Sequence, residues 1–441
     1  MVLVDSVLGR CWRRPRAALR PLDDHLRGSK NEVLFVFGTS GAVGTRTVQC
    51  AKRKGVRVIE TQGSARPQAR VPALLAGLAS VLVGFGALAA PPSAAMPPVP
   101  TSASSGGELA SRTVVLVAID GVRWQDVFGG VDSRLAAKKR LPLEERIDAA
   151  HLVPNLHRLM TTDGAAIGAP ASPKAMRASG PNYVSLPGYM EMLTGRRVTG
   201  CTNNRCGDVR HRTVADDVAD RGGLAAVVAS WPGILHAASA FRGRVAMSIG
   251  RTGGENLSEF KSDFDMAALL PEAAPPPHAE RDFRSDASTG TIACSYLESH
   301  RPTFLFVGLG ETDTYAHQGN YRGYLHALHQ ADAIVGRLAE EVAALTANGH
   351  PSTLMVTTDH GRSYAFATHG GGNPESARVW LVATGAGIQA RGSTPSAVSR
   401  HLSDVGQTLR RMLGLPTVQT SSAGRVMTEL FALSGTTVAA R

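Results

Sequence analysis

The sequence predicts an α/β domain built on a mostly parallel sheet, and two observations carry that prediction. Five apolar runs are continuous rather than alternating: Thr113 to Ile119, Leu224 to Ser230, Thr303 to Leu309, Thr353 to Thr358 and Val379 to Thr384. Runs of that length suit strands covered on both faces. Helical patterns lie between them, and strands alternating with helices imply a sheet with helical layers against it.

The elements follow in order. Leu152 to Met160 places Leu152, Leu156 and Leu159 on one helical face, and Tyr324 to Leu345 repeats apolar residues at three- and four-residue spacing. A further helix is expected from Ser185 through Met192, because Pro187 falls in its first turn. No internal repeat or coiled-coil pattern is present.

The front of the chain is different. Residues 1–89 carry 14 Lys+Arg and 5 Asp+Glu, a net of +9, so the rest holds 47 − 14 = 33 basic and 36 − 5 = 31 acidic residues, a net of +2. The basicity therefore belongs to the front segment, and nucleic acid is not expected as a partner of the main domain. Val71 to Ala90 is apolar and uncharged, follows Arg66 and Arg70, and ends in the small-residue site Ala87, Leu88, Ala89. Basic flank, apolar centre and cleavage site describe an export signal. Its length also reaches the roughly 17 residues of a membrane anchor. Export, to the periplasm or beyond, is the expectation, with residues 66–90 as signal or anchor, 91–110 as linker and 111–435 as the catalytic domain.

Asn31 to Thr61 reads as strand, glycine turn (Gly38, Gly41, Gly44), helix and strand. It resembles the nucleotide-binding βαβ of medium-chain, quinone-reductase-like dehydrogenases. One such unit of about 30 residues cannot form its own core around a dinucleotide. Residues 1–65 are thus expected to be a non-functional extension, and a nicotinamide-dependent oxidoreductase is the weaker functional class.

Three of the five strands run into acids. Asp120 follows the first, Glu311 and Asp313 follow the Thr303 strand, and Asp359 with His360 follow the Thr353 strand. Open α/β sheets place their sites just beyond the carboxyl ends of strands. One such carboxylate is usually a cap; three, two with histidines attached, point to a metal centre. Asp313 and His317 stand four apart, a spacing that turns both side chains the same way on a helix. His369 sits among glycines in THGGG. Mixed imidazole and carboxylate donors suit zinc or a similar divalent ion, and the donors outnumber one tetrahedral site. Ser185, at the start of its helix, is the candidate nucleophile, since the helix dipole favours a developing alkoxide there.

An Asp after the first strand, a Ser before x-Pro, then D-x-x-x-H, D-H-G and a later His together resemble the alkaline phosphatase superfamily. The resemblance covers roughly Arg112 to Leu433 and is closest to nucleotide pyrophosphatase/phosphodiesterases and bacterial phosphatase-like proteins. It implies an alkaline-phosphatase-like three-layer sandwich. It also implies two divalent ions, zinc first, with manganese or magnesium as alternatives. One ion would be held by Asp313, His317 and His369, the other by Asp120, Asp359, His360 and Ser185. Asn204, rather than Asn203, matches the asparagine that steadies the phosphoryl group. The implied activity is hydrolysis of small phosphoric esters through a phosphoserine. A sulfatase-like hydrolase and a phosphoglycerate-mutase-like phosphotransferase are the alternatives. Tyr189 stands where sulfatases place an arginine, and Gly121 follows Asp120 where they place a second aspartate. Glu311 is a loose candidate for a third site. Cys201 and Cys206, the pair flanking both asparagines, could close a small loop in an oxidising compartment.

Overall fold

A computed structural model of the chain describes residues 2–4, 33–37, 57–61, 109, 111–170, 172, 174–241, 243–260 and 275–431. The chain divides into two compact units, Met1–Pro97 and Pro98–Arg441. In the first, strands Val2–Val4, Val33–Phe37 and Arg57–Thr61 pair in parallel in that order. The apolar segment Val71 to Ala90, the glycine turn and helix expected after Phe37, and most of the 91–110 linker lie outside the described residues. Among those described, no helix is long and apolar enough to cross a membrane.

The second unit carries a nine-stranded sheet. Its strands are β1 (Thr113–Ile119), β2 (Gly164–Ile167), β4 (Ala225–Ala229), β5 (Ala246–Ile249), β6 (Gly253–Glu255), β7 (Phe304–Leu309), β8 (Ser352–Thr357), β10 (Leu381–Gly385) and β11 (Gly392–Ser393). The order is β11-β2-β10-β8-β1-β7-β4-β5-β6. The central five, β8-β1-β7-β4-β5, run parallel, while β10 and β6 run against their neighbours. A small second sheet joins β9 (Arg378–Val379), β3 (Met176–Arg177) and β12 (Arg400–His401).

The residues of β1 explain the layering. Val115, Val117 and Ile119 enter one core and Val114, Leu116 and Ala118 another, all almost fully buried. On the first face lie α3 (Asp286–His300) and α5 (Tyr321–Ala347); on the second lie α1 (Ser185–Thr194), α2 (Val214–Asp220) and α6 (Leu402–Met412). Strand residues alternate between faces, so an unbroken apolar run feeds both layers. Each large side chain buried this way contributes roughly 1.5–3 kcal/mol. The result is a three-layer α/β/α sandwich.

Two elements differ from the sequence expectation. Leu152 to Met160 is not one helix: Ala149–Leu152 and Pro154–Arg158 are separate, with Val153 between them. Pro154 lacks the amide that would continue the first helix, and opens the second instead. The run Val379 to Thr384 breaks at Trp380, whose buried indole donates to Val122 O at 3.2 Å. Val379 therefore joins the small sheet and Leu381 the large one.

Candidate metal centre and nucleophile

The three strands that end in acids, β8, β1 and β7, are neighbours in the sheet, so Asp359, Asp120 and the start of α4 (Glu311–His317) emerge side by side. The turn after β1 is held from both sides. Gly121 N donates to Asp359 Oδ1 at 3.0 Å, and Thr312 Oγ1 donates to Asp120 O at 2.6 Å. Gly121 has φ +62°, and a Cβ there would overlap the Asp313 carboxylate and the Arg362 guanidinium. Only glycine meets both demands.

Ser185 opens α1 and is buried. Its Oγ donates to Asp120 Oδ1 at 3.3 Å and stands 3.3 Å from His360 Nε2. Gly188, one turn on, packs directly against the backbone of Asp359, which brings the helix N-terminus down onto the strand end. Tyr189 OH donates to the other Asp120 oxygen at 3.0 Å. The residue that departs from the sulfatase pattern thus holds the Asp120 carboxylate here, a contact the sequence did not disclose.

Asp313 and His317 share one face of α4, with Asp313 Oδ2 3.0 Å from His317 Nε2. His369 Nε2 is 3.0 Å from His317 Nε2 and 3.9 Å from Asp313 Oδ1. The rings of His360 and His369 stack at 3.9 Å. His360 Nδ1 donates to Gly361 O at 2.9 Å and His369 Nδ1 to Tyr183 O at 2.8 Å. Each contact places the proton on Nδ1 and leaves the Nε2 lone pair facing the site.

The charges are set by burial. Desolvation, then the charges of Asp359 and Asp313, push the Asp120 carboxyl well above the usual range. Asp359 rises to about 6, chiefly through burial. Burial holds His360 down to about 4, and burial with His360 beside it holds His369 to about 3. Burial would raise Asp313 too, but Arg362, His317 and His369 keep it well below the carboxylate range. Three carboxylates therefore converge with two neutral imidazoles around one guanidinium, an arrangement short of positive charge.

The donor set fits divalent ions. Asp120, Asp359 and His360 offer ligand atoms close to one another, and so do Asp313, His360 and His369. Asp359 Oδ2 is buried and accepts no hydrogen bond, an oxygen that a cation would satisfy. Arg362 was not foreseen as a site residue. It is buried, bonded through Nε to Phe366 O at 2.6 Å and through Nη2 to Ala367 O at 3.0 Å, and its Nη1 meets Asp313 Oδ1. Only its place two residues after His360 hinted at this.

Asn204 Oδ1 accepts from Leu186 N at 3.0 Å, at the start of α1, whereas Asn203 Oδ1 is taken by Arg205 N at 2.8 Å. Cys201 and Cys206 are joined, with Cα atoms 5.6 Å apart, and close the loop that carries both asparagines. A cavity of about 260 Å³ opens beside Asp120, Ser185, Asn204, Asp313 and His317, walled by Trp231 and Phe283. Glu311 lies apart from the ligand groups: its Oε1 accepts from Asp286 N at 2.9 Å, and burial followed by Asp286 lifts its carboxyl to about 8.

Among solved structures, an alkaline phosphatase superfamily protein from Vibrio parahaemolyticus is 15% identical over 73% of this chain and 70% of its own, with a TM-score of 0.47. A phosphonate monoester hydrolase of Agrobacterium radiobacter is 14% identical over 72% of this chain and 77% of its own, TM-score 0.47. A 2-O GAG sulfatase is 12% identical over 72% of this chain and 74% of its own, TM-score 0.47. No curated protein matches the chain. The family model for the metalloenzyme superfamily matches residues 282–417, which contain Asp313, His317, Asp359, His360 and His369.

Proposed function

We propose that this chain is a metal-dependent hydrolase of small phosphoric esters, with Ser185 as its nucleophile. One observation carries the reading: the Ser185 hydroxyl sits buried at a helix N-terminus, 3.3 Å from both Asp120 Oδ1 and His360 Nε2. Two divalent ions, zinc first, would be held by Asp120, Asp359, His360 and Ser185 on one side and by Asp313, His317 and His369 on the other, and when bound they activate a hydroxyl and neutralise phosphoryl charge.

The chain's own groups do the rest. Ser185 Oγ forms a bond to phosphorus while the bond to the leaving alcohol breaks; water then cleaves the phosphoserine and restores the hydroxyl. The positive end of the α1 dipole favours the negative oxygens in both steps. Asn204 uses its carbonyl on Leu186 N, so its amide donors are free to face a nonbridging oxygen. Trp231 and Phe283 give the leaving-group side an aromatic wall.

Export to an oxidising compartment is part of the proposal, supported by the Cys201–Cys206 bridge. The experiment is metal analysis of the purified protein, followed by aryl phosphate monoesters, aryl phosphate diesters and an aryl sulfate as substrates. Phosphate ester turnover that is lost in Ser185→Ala with metal retained supports the reading. Full activity in that variant, or turnover of the sulfate alone, rejects it.

A further inference from the structure

The small sheet β9-β3-β12 lines up two arginines and a histidine. Arg378 pairs with Arg177, and Arg177 pairs with His401, so the three side chains stand in one row on one face. With strands about 4.8 Å apart, the row spans about 10 Å. Like charges directly opposite one another across strands are destabilising. The opposite face of β12 shows how the fold neutralises a cation when it needs to. Arg400, next to His401, is buried and paired with Asp404 at 3.4 Å and with Glu429. Arg177 and Arg378 have no such partner among the described residues, and Arg378 Nε is buried with nothing bonded to it.

The row ends in a cavity of about 260 Å³ lined by Arg197, His401, Ser403, Asp404 and Arg425. Arg197 and Arg425 are exposed and also lack a carboxylate partner among the described residues. Asp404 is the one acid in the lining, and its charge is taken up by Arg400, by Arg425 N at 2.7 Å and by His401 N at 3.2 Å. Burial lowers the His401 imidazole below its ordinary value, and Arg197, Arg177 and Arg425 add to that against the pull of Asp404. At the far end of the row, the Arg378 guanidinium lies 3.9 Å over the Trp124 ring.

We infer that this row and cavity form a second anion site, for a ligand carrying two or more phosphate- or sulfate-type groups. Arginine forks suit such oxyanions, and spaced arginines whose one neighbouring acid is already paired select for a ligand with spaced charges. None of these residues belongs to the metal centre, so the site is independent of the chemistry proposed for Ser185.

The test is calorimetric titration of the metal-loaded enzyme at low salt with propane-1,3-disulfonate, whose carbon–sulfur bonds an ester hydrolase leaves intact. One site per chain is expected. Arg177→Gln and Arg425→Gln should each weaken it about tenfold, with p-nitrophenyl phosphate turnover and melting temperature unchanged. Three results would overturn the inference: no binding to the unmodified enzyme, binding intact in the double variant, or equal weakening by Arg134→Gln on the exposed helix Ser133–Lys138.

Discussion

Gly121 N donates to Asp359 Oδ1 at 3.0 Å, so the turn after one strand fixes the carboxylate at the end of the next. That bond leaves the second Asp359 oxygen buried and free. Gly121→Ala would put a side chain into Asp313 and Arg362 at a positive φ. We expect a loss of about 1–3 kcal/mol in stability, with metal affinity reduced. Chemical denaturation and metal titration of the variant measure both. Unchanged metal affinity would mean that the turn does not shape the ligand set.

The disulfide bears on Asn204. Closing so short a loop stabilises by about 2 kcal/mol on the chain-entropy model. Reduction, or Cys201→Ser with Cys206→Ser, is expected to lower the melting temperature and turnover together, because Asn204 then loses its fixed place over Leu186 N. Asn204→Ala should cost about 10²-fold in kcat while leaving the disulfide and most of the stability intact. Stopped assays with and without reductant separate the two. Turnover indifferent to both changes would remove Asn204 from the mechanism.

Glu191 predicts a pH dependence of stability. It lies within α1, where burial lifts its carboxyl from an ordinary 4.5 to about 6, against bonds from Ser179 N at 2.9 Å and Ser403 N at 3.0 Å. A carboxyl raised in the folded state keeps its proton there after the unfolded chain has released its own. Its contribution is therefore greatest at acid pH and falls as pH rises through that window, by about 2 kcal/mol in all. Glu191→Gln does not titrate. Urea unfolding should show the variant gaining on the unmodified protein between pH 4 and 7, and a constant difference would contradict the shift.

Arg362 is expected to orient Asp313 rather than to touch substrate. Arg362→Gln should weaken metal binding by about tenfold, the range seen when partners of metal ligands are removed. Arg362→Lys keeps the charge but cannot hold Phe366 O, Ala367 O and Asp313 at once. Metal affinity from chelator competition is the readout, and equal affinity in all three proteins would contradict this role.

Much of this was legible in the residues because the fold states it repeatedly. Unbroken apolar runs suit strands covered on both faces, and acids recurring at their ends marked the side on which a site would lie. Helical spacing placed Asp313 with His317, and Pro187 marked the helix that carries Ser185. What stayed hidden depends on neighbours far apart in sequence. Trp380 breaks a run that reads as one strand, because its indole must reach Val122 O. Arg362 and Tyr189 gain their roles from bonds to Asp313 and Asp120, which no local pattern announces. Nor is the row of Arg378, Arg177 and His401 announced locally, since it exists only through strand register.

In the proposed reaction Ser185 carries the phosphoryl group. Mixing the metal-loaded enzyme with an aryl phosphate, quenching in acid during turnover and mapping peptides by mass spectrometry tests it directly. A phosphate adduct on the peptide containing Ser185, absent after chelation, is expected. Turnover with that peptide unmodified, or an adduct on another residue, would contradict it.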